Sequence, residues 1–179
     1  EDREMVWAGI SEALSQGRSY TLEYRITRAD GAVRWVWERG RGLGQGQLQG
    51  FIQDITERHE REKKLAETEK RYRSIFENAT EGIFQTTPDG HYLEVNNALA
   101  RIYVYDSPAQ MIANLQDIGQ QLYLDRARRD EFVRLMREHR EMVNFESEVQ
   151  RRDGTIIWIS ENAHEVRDDH GELLYYEGT

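Results

Sequence analysis

The chain has 179 residues, no cysteine, and a net charge of −9 from 24 basic and 33 acidic side chains. The absence of cysteine excludes disulfides, thiolate metal ligands, iron–sulfur clusters and any cysteinyl cofactor adduct. The acidic balance argues against a nucleic-acid-binding surface, and no apolar run approaches the roughly 18 residues that span a bilayer. We therefore expect a cytoplasmic chain, or the cytoplasmic part of a larger or membrane-anchored protein, with no nucleic-acid partner and no direct membrane insertion.

Residues 1–56 are related to a later part of the chain by an internal repeat. Asp30-Gly31 recurs as Asp153-Gly154, 123 positions later, and Trp35 recurs at the same offset as Trp158. The match extends backwards into helical sequence, so residues 1–56 are predicted to supply one helix and three strands. Such repetition indicates two copies of one structural unit, and the first copy is only its C-terminal part.

A highly charged segment, residues 57–73, follows the first copy. Twelve of its seventeen residues are Asp, Glu, Lys or Arg, and acidic residues precede basic ones at i,i+4 spacing, as in Glu57 and Arg61. Each such pair favours a helix by only a few tenths of a kcal/mol. We predict one connector helix with a partner on its thin apolar stripe, since so polar a helix rarely stands alone. The stripe consists of Leu65, Tyr72, Ile75 and Phe76.

Residues 74–179 are interpreted as a nearly complete second copy. Turn residues at Pro88-Asp89-Gly90 join two short strands, and Asn96 and Ser107 are good N-caps for two short helices. A hairpin, several helices and then three hairpin-linked strands predict an α+β domain with one antiparallel sheet. The predicted elements are strands Gly82–Thr87 and Tyr92–Val95, helices ending near Tyr103 and Ala113, a long helix Arg126–Met142, and strands Phe145–Arg151, Thr155–Val166 and one from Leu173.

The order of several motifs along the chain resembles the PAS family. The motifs are Asp54–Arg58, Tyr72–Ala79 with Gly82–Phe84, Thr87–Gly90, Val95–Ala98, Arg152–Gly154 with Trp158, and Asp168–Gly171. Together they resemble a PAS domain with its C-terminal PAC part. The first of them, Asp54–Arg58, resembles the motif that ends such a domain and begins a signalling helix.

This resemblance implies a fold and a function. The fold is a five-stranded antiparallel sheet, order 2-1-5-4-3, with helices on one face around a small cavity. The function is that of a sensory input or relay module in a bacterial signalling protein, such as a sensor histidine kinase of a two-component system or a diguanylate cyclase of cyclic-di-GMP signalling. Neither output signature occurs in this chain, so we expect a regulatory region and no enzyme.

The five histidines do not form a metal-binding pattern, so no metal site is predicted. His139 lies on the predicted apolar stripe of the long helix, from which haem-binding PAS proteins take an axial ligand. Its position in the last turn also suits the helix dipole, and we prefer that interpretation over haem. A cysteinyl flavin is excluded, and the cofactor is otherwise unknown.

Seven residues of the second copy are candidates for the cavity lining, although each is also explained as ordinary core. They are Tyr103, Met111, Leu115, Phe132, Met136, Ile159 and Glu161. Two functions therefore remain open. One is a sensor whose cavity holds a small molecule, and the other is a ligand-free element for dimerisation and relay.

We also expect a homodimer. Leu65 and Tyr72 are one heptad apart, which suits pairing with a twin helix. Trp35 and Trp37 share one face of a strand, and Val36 on the other face is also apolar. A strand that is apolar on both faces needs cover on both, from a helix of its own chain or from a neighbour.

Overall fold

The computed structural model describes residues 2–44 and 47–179. Glu1 and Gln45-Gly46, which fall in the predicted first copy, lie outside the described residues. The chain divides into two compact units, Glu1–Lys70 and Arg71–Thr179. Within the described ranges, no helix is long and apolar enough to cross a membrane.

The first unit contains a three-stranded antiparallel sheet with one helix packed on it. Its elements are α1 (Asp2–Ser15), β1 (Ser19–Thr27), β2 (Val33–Gly44) and β3 (Gln47–Asp54), and the strand order is β1-β2-β3. Ile10 of α1, Tyr20 of β1 and Val36 of β2 are buried and form the small core between helix and sheet. Every described residue of β3 is exposed, so this strand contributes little to that core.

A single helix, α2 (Thr56–Asn78), occupies the position of the predicted connector and runs five residues beyond it. Asp54 accepts a hydrogen bond from the Thr56 amide (2.9 Å), and the Thr56 hydroxyl accepts one from the Trp35 amide (2.9 Å). The first turns of α2 cover the outer face of the first sheet, where His59 stacks on Trp35 with ring centroids 4.2 Å apart. The outer-face cover expected for Trp35 therefore comes from its own chain.

The second unit has the predicted five-stranded sheet. Its strand order is β5-β4-β8-β7-β6, which is 2-1-5-4-3 when strands are numbered within the unit, and every pairing is antiparallel. The α+β prediction is confirmed. After α2 the elements are β4 (Phe84–Thr86), β5 (Tyr92–Val95), α3 (Asn97–Ile102), α4 (Pro108–Asn114), α5 (Ile118–Gln121), α6 (Arg126–His139), β6 (Glu141–Gln150), β7 (Ile156–Arg167) and β8 (Leu173–Gly178).

The short helices begin at the residues that local chemistry favours. Asn96 caps α3 by accepting from the Leu99 amide, and Ser107 caps α4 with Pro108 in its first turn. The pattern of residues does not predict α5, a single turn capped by Asp117. A four-residue helix is too short to show amphipathic periodicity, which explains the omission.

The prediction for the end of the long helix was wrong. Helix α6 ends at His139 because Arg140 adopts a left-handed conformation with φ 64°. Strand β6 begins at once, with Glu141 paired to His164, rather than at Phe145. Met142 reaches the core as a strand residue, while Val143 is 69% exposed. The apolar residues after Arg140 follow a strand, not a continuing helix.

The core of the second unit lies between the sheet and helices α3 to α6. Phe132 of α6 packs edge-on against Phe145 of β6 and Tyr176 of β8, with centroids 5.7 and 6.4 Å apart. Met111 and Met136 are fully buried beside them. This packing fixes the inner face of β7, which forms one wall of the cavity described next.

Candidate functional site

A cavity of about 660 Å³ lies in the second unit. Its walls come from the loop before β4, from β4 and β5, from α3 and from the first half of β7. The lining residues are Thr80, Glu81, Gly82, Phe84, Tyr92, Leu99, Ile102, Tyr103, Arg151, Ile157, Trp158, Ile159, Ser160, Glu161, Asn162 and Thr179. A volume of this size is typical of small-molecule sites.

The cavity borders an edge of β7. Strand β8 pairs with β7 from Ala163 onward, and Thr179 exchanges two backbone hydrogen bonds with Asn162, both 2.9 Å. Residues 157–161 pair with β6 on one side. In the described part of the chain, no strand pairs with their other side, and this edge is the open side of the cavity.

Two acidic residues line the cavity, the exposed Glu81 and the less exposed Glu161. The Tyr123 hydroxyl donates a hydrogen bond to Oε2 of Glu161 at 2.8 Å. Protein atoms crowd around the carboxyl, and this desolvation raises the pKa of Glu161, although the Tyr123 hydrogen bond and the positive charge of Arg129 act in the opposite direction. Glu161 therefore holds its proton more tightly than an exposed glutamate does.

Two tyrosines stand beside this carboxyl. Tyr92 and Tyr103 are 7% and 2% exposed, and both line the cavity. Burial raises the pKa of each hydroxyl, and the negative charge of Glu161 adds to the effect. Both side chains are therefore neutral over the physiological pH range and can donate or accept hydrogen bonds.

Asn96 connects the cavity wall to the end of α2. Its Nδ2 donates to the carbonyl oxygens of Phe76 (3.1 Å) and Glu81 (2.9 Å). Its Oδ1 accepts from the amides of Ile83 (3.0 Å) and Leu99 (2.9 Å). Glu81 and Leu99 line the cavity, whereas Phe76 belongs to α2. All four hydrogen-bonding positions of this buried amide are used.

The seven cavity candidates fall into two groups. Tyr103, Ile159 and Glu161 line the cavity. The structure places the others in the tightly packed core, away from the lining, as ordinary hydrophobic contacts. Those four are Met111, Leu115, Phe132 and Met136.

His139 does not lie on a buried stripe. Its side chain is 63% exposed at the end of α6, where Nε2 is 3.9 Å from Glu138. It is not among the cavity-lining residues. Across residues 2–44 and 47–179, no group of three or more His, Asp or Glu side chains is arranged to hold a metal ion.

The candidate dimer residues of α2 are exposed. Leu65, Tyr72 and Ile75 are 69%, 50% and 63% exposed, while Phe76, one residue further, is buried. Tyr72 stacks on Phe76 with centroids 5.7 Å apart. Three of the four predicted stripe residues therefore lie on the surface of the helix, and the fourth, Phe76, packs inward.

Sequence reasoning missed Tyr92 and Arg151 as cavity residues and assigned Asn96 only a capping role. Arg151 follows Ser147 and Val149 at every second position, which is the period of one strand face and could have indicated it. No comparable signal marks Tyr92 or the second donor role of Asn96. Both depend on how β5 and α3 meet the end of α2.

Comparisons with known proteins give consistent results. A family model described as PAS fold matches residues 70–179, and a second model with the same description matches residues 1–53. A crystal structure of a domain of the sensory box sensor histidine kinase/response regulator from Geobacter sulfurreducens has a TM-score of 0.50 and 26% identity. The match covers 64% of this chain and 93% of that domain.

Two curated relatives are similar over part of the chain. A blue-light-activated histidine kinase from Brucella anthropi is 36% identical over 81 residues, which are 44% of this chain and 16% of the relative. The two-component sensor PprA from Pseudomonas aeruginosa is 30% identical over 105 residues, which are 56% of this chain and 11% of the relative. The similarity therefore spans a small part of each relative.

Proposed function

Because this chain belongs to the PAS family, we propose that its second unit senses a small ligand in the cavity beside Glu161. The presence of the ligand is then relayed through the helices. The chain is a sensory signalling module, similar to parts of sensor histidine kinases. The output domain that receives the signal belongs to the longer signalling protein in this proposal. The role is regulatory and not catalytic.

The Asn96 contacts carry this proposal. A ligand in the cavity touches the backbone around Glu81 or the side chain of Leu99, and Asn96 ties both to the Phe76 carbonyl of α2. A shift on the cavity side must either stretch these hydrogen bonds or move the last turns of α2. Because a fully satisfied buried amide is costly to disrupt, movement of α2 is the favoured response.

Filling the cavity with a side chain tests the relay without knowledge of the ligand. Ile159→Phe adds ring atoms inside the cavity, and Glu148→Phe adds the same ring to the exposed face of β6 as a matched control. We expect Ile159→Phe to slow amide hydrogen exchange in residues 75–78 by about fivefold while Glu148→Phe leaves it unchanged. Equal exchange in both variants and the wild type would contradict the relay.

A ligand-free role in dimerisation and relay is the second candidate. It is favoured by the exposed apolar side chains of Leu65, Tyr72 and Ile75 on a helix that is otherwise highly charged. Native mass spectrometry of the purified chain separates the two functions. A bound small molecule that Ile159→Phe excludes supports sensing, whereas a dimer that never carries an adduct supports ligand-free relay.

A homodimer through α2 is compatible with both functions. Sedimentation equilibrium at micromolar concentration should give a dimer that Leu65→Lys dissociates, because the charge would enter the apolar seam. Lys70→Ala, on the opposite side of the helix, is the control and should leave the dimer intact. A 21.1 kDa monomer that Leu65→Lys does not change would contradict the dimer.

A further inference from the structure

The cavity contains polar groups that the protein leaves without partners. Within the described chain, the hydroxyls of Tyr92 and Tyr103 make no hydrogen bond to another residue, although both side chains are more than nine-tenths buried and line the cavity. Neither hydroxyl oxygen is fully enclosed by the described protein atoms, so both reach the cavity and can hydrogen-bond to a molecule inside it. These two groups therefore point to a polar ligand.

Besides the exposed Glu81, two charged residues of opposite sign line the cavity, Glu161 and Arg151. Oε2 of Glu161 accepts from Tyr123, while Oε1 has no hydrogen-bond partner among the described residues. Nε of Arg151 is buried and is likewise without a partner in the described chain. Both charges act on Tyr103, Glu161 raising its pKa and Arg151 lowering it. Tyr103 is thus within electrostatic reach of both.

The charged residues are far apart along the strand. Gln150, next to Arg151, pairs with Ile156, and Glu161 lies five residues further along β7. Arg151 itself lies opposite Thr155, to whose carbonyl its amide donates, so at about 3.3 Å per residue the two backbone positions are about 20 Å apart. The two side chains extend into this gap, and an elongated molecule with a charge at each end can bridge what remains.

We propose that this cavity binds an elongated zwitterion, whose protonated amine pairs with Glu161 and whose carboxylate pairs with Arg151. The hydroxyls of Tyr92 and Tyr103 complete the hydrogen bonding around the amine end, and their rings offer faces to the cation. The chain between the charges lies against the apolar side chains of Leu99 and Ile157. This inference rests on the proposed function, because it names the ligand class of the same cavity.

The ω-amino acids and short peptides share this chemistry, and calorimetry distinguishes them. The probes are 4-aminobutyrate, 6-aminohexanoate, 8-aminooctanoate and triglycine, with hexylamine and hexanoate as analogues that carry a single charge. We expect at least one zwitterion to bind, and removal of either charge to weaken binding at least about tenfold, as the loss of a charged hydrogen bond predicts. No binding by any probe at millimolar concentration overturns the proposal.

Matched variants assign the two ends. Glu161→Gln should weaken the best zwitterion at least about tenfold without changing hexanoate, and Arg151→Gln should do so without changing hexylamine. Glu146→Gln, an exposed carboxylate on β6, is the control and should have no effect. A zwitterion that binds Glu161→Gln as tightly as the wild type contradicts the proposal.

The two sets of experiments distinguish a wrong ligand class from a wrong relay. If Ile159→Phe slows exchange at the end of α2 while every zwitterion fails to bind, the ligand class is wrong and the relay stands. If zwitterions bind but exchange at the end of α2 responds neither to them nor to Ile159→Phe, the ligand class is right and the relay is wrong.

Discussion

Glu38 in the first unit and Glu161 in the second occupy the same position of the repeat, but their partners differ. Glu38 accepts hydrogen bonds from two tyrosine hydroxyls, Tyr20 at 2.7 Å and Tyr24. Glu161 accepts from one tyrosine, Tyr123, at 2.8 Å. One carboxyl is satisfied within its own sheet, and the other has an oxygen that faces the cavity without a partner in the described chain.

The loss of both tyrosines explains this difference. The counterpart of Tyr24 is Ser147, whose buried hydroxyl has no partner in the part of the chain that the structure describes. The counterpart of Tyr20 is Val143, which is 69% exposed because a register shift between Met142 and Phe145 displaces the strand. A short side chain and a bulge thus turn a closed sheet face into a site.

The repeated tryptophans show the same contrast on the outer face of each sheet. Trp35 stacks on His59 of α2, whereas Trp158 is 68% exposed. The Asp-Gly turn and the strand pairing next to it are the same in both units, up to the register shift in β6. Neighbouring elements decide whether the same residue type is covered, and this is where the two units differ.

Replacing Phe132 should destabilise the second unit more than replacing Asn96 or Trp158, and it separates core from cavity lining. Phe132→Ala should lower the free energy of unfolding by about 3–5 kcal/mol, because the ring packs against Phe145 and Tyr176 in a core that cannot collapse fully. Hydrogen exchange, measured separately for each unit, checks this, with the exposed Arg134→Ala as the control. If Phe132→Ala is as stable as the wild type, the assignment of Phe132 to the packed core is wrong.

A smaller loss is expected at Asn96, which has no counterpart in the first unit. Asn96→Ala removes four hydrogen bonds and leaves buried groups without partners, so we expect a loss of about 2–4 kcal/mol. Exchange should accelerate in β4 and β5 while β1 and β2 stay unchanged. The exposed neighbour Asn97→Ala should be within about 0.5 kcal/mol of the wild type.

The tryptophan pair predicts unequal costs at one repeat position. Trp35→Ala removes the stack on His59 and should cost the first unit about 1 kcal/mol or more. Trp158→Ala removes a mostly exposed ring and should change the second unit by no more than about 0.5 kcal/mol. Hydrogen-exchange protection of β2 and β7 measures the two losses of stability. Equal losses would contradict the difference in cover between Trp35 and Trp158.

The smallest effect concerns the pH dependence of Glu161. Because burial raises its folded-state pKa above the ordinary value of 4.5, the folded chain binds this proton more tightly, and stability falls as pH rises through that range. Glu161→Gln cannot ionise, so its melting temperature relative to the wild type should rise from pH 4 to pH 8. The groups that face this carboxyl are Arg129, Tyr92, Tyr103 and Tyr123.

The control for the pH dependence of Glu161 is Glu146→Gln, which removes one negative charge from an exposed position. Its melting temperature should follow the wild type across the same pH range. If the two variants behave alike, the carboxyl of Glu161 is not desolvated and its special role in the cavity is wrong.

Local chemistry made most of the second unit predictable from sequence. Caps at Asn96 and Ser107 and the Asp153-Gly154 turn depend on neighbouring residues, so their positions could be predicted. The end of α6 could not, because a left-handed Arg140 carries no composition signal. The division of inward-facing residues into core and cavity lining could not be predicted either. Met136 and Glu161 differ in the neighbours that pack against them, and the period of a helix or strand carries no information about those neighbours.

In the proposed relay, cavity occupancy reaches α2 through Asn96. Asn96→Asp keeps the oxygen that accepts from Ile83 and Leu99 but removes both donations, to Phe76 and Glu81, and Asn97→Asp controls for the added charge. Hydrogen exchange of residues 75–78 should then be measured for Ile159→Phe in each background. We expect about fivefold slowing in the Asn97→Asp background and none in the Asn96→Asp background. Equal slowing in both backgrounds would rule out a relay through Asn96.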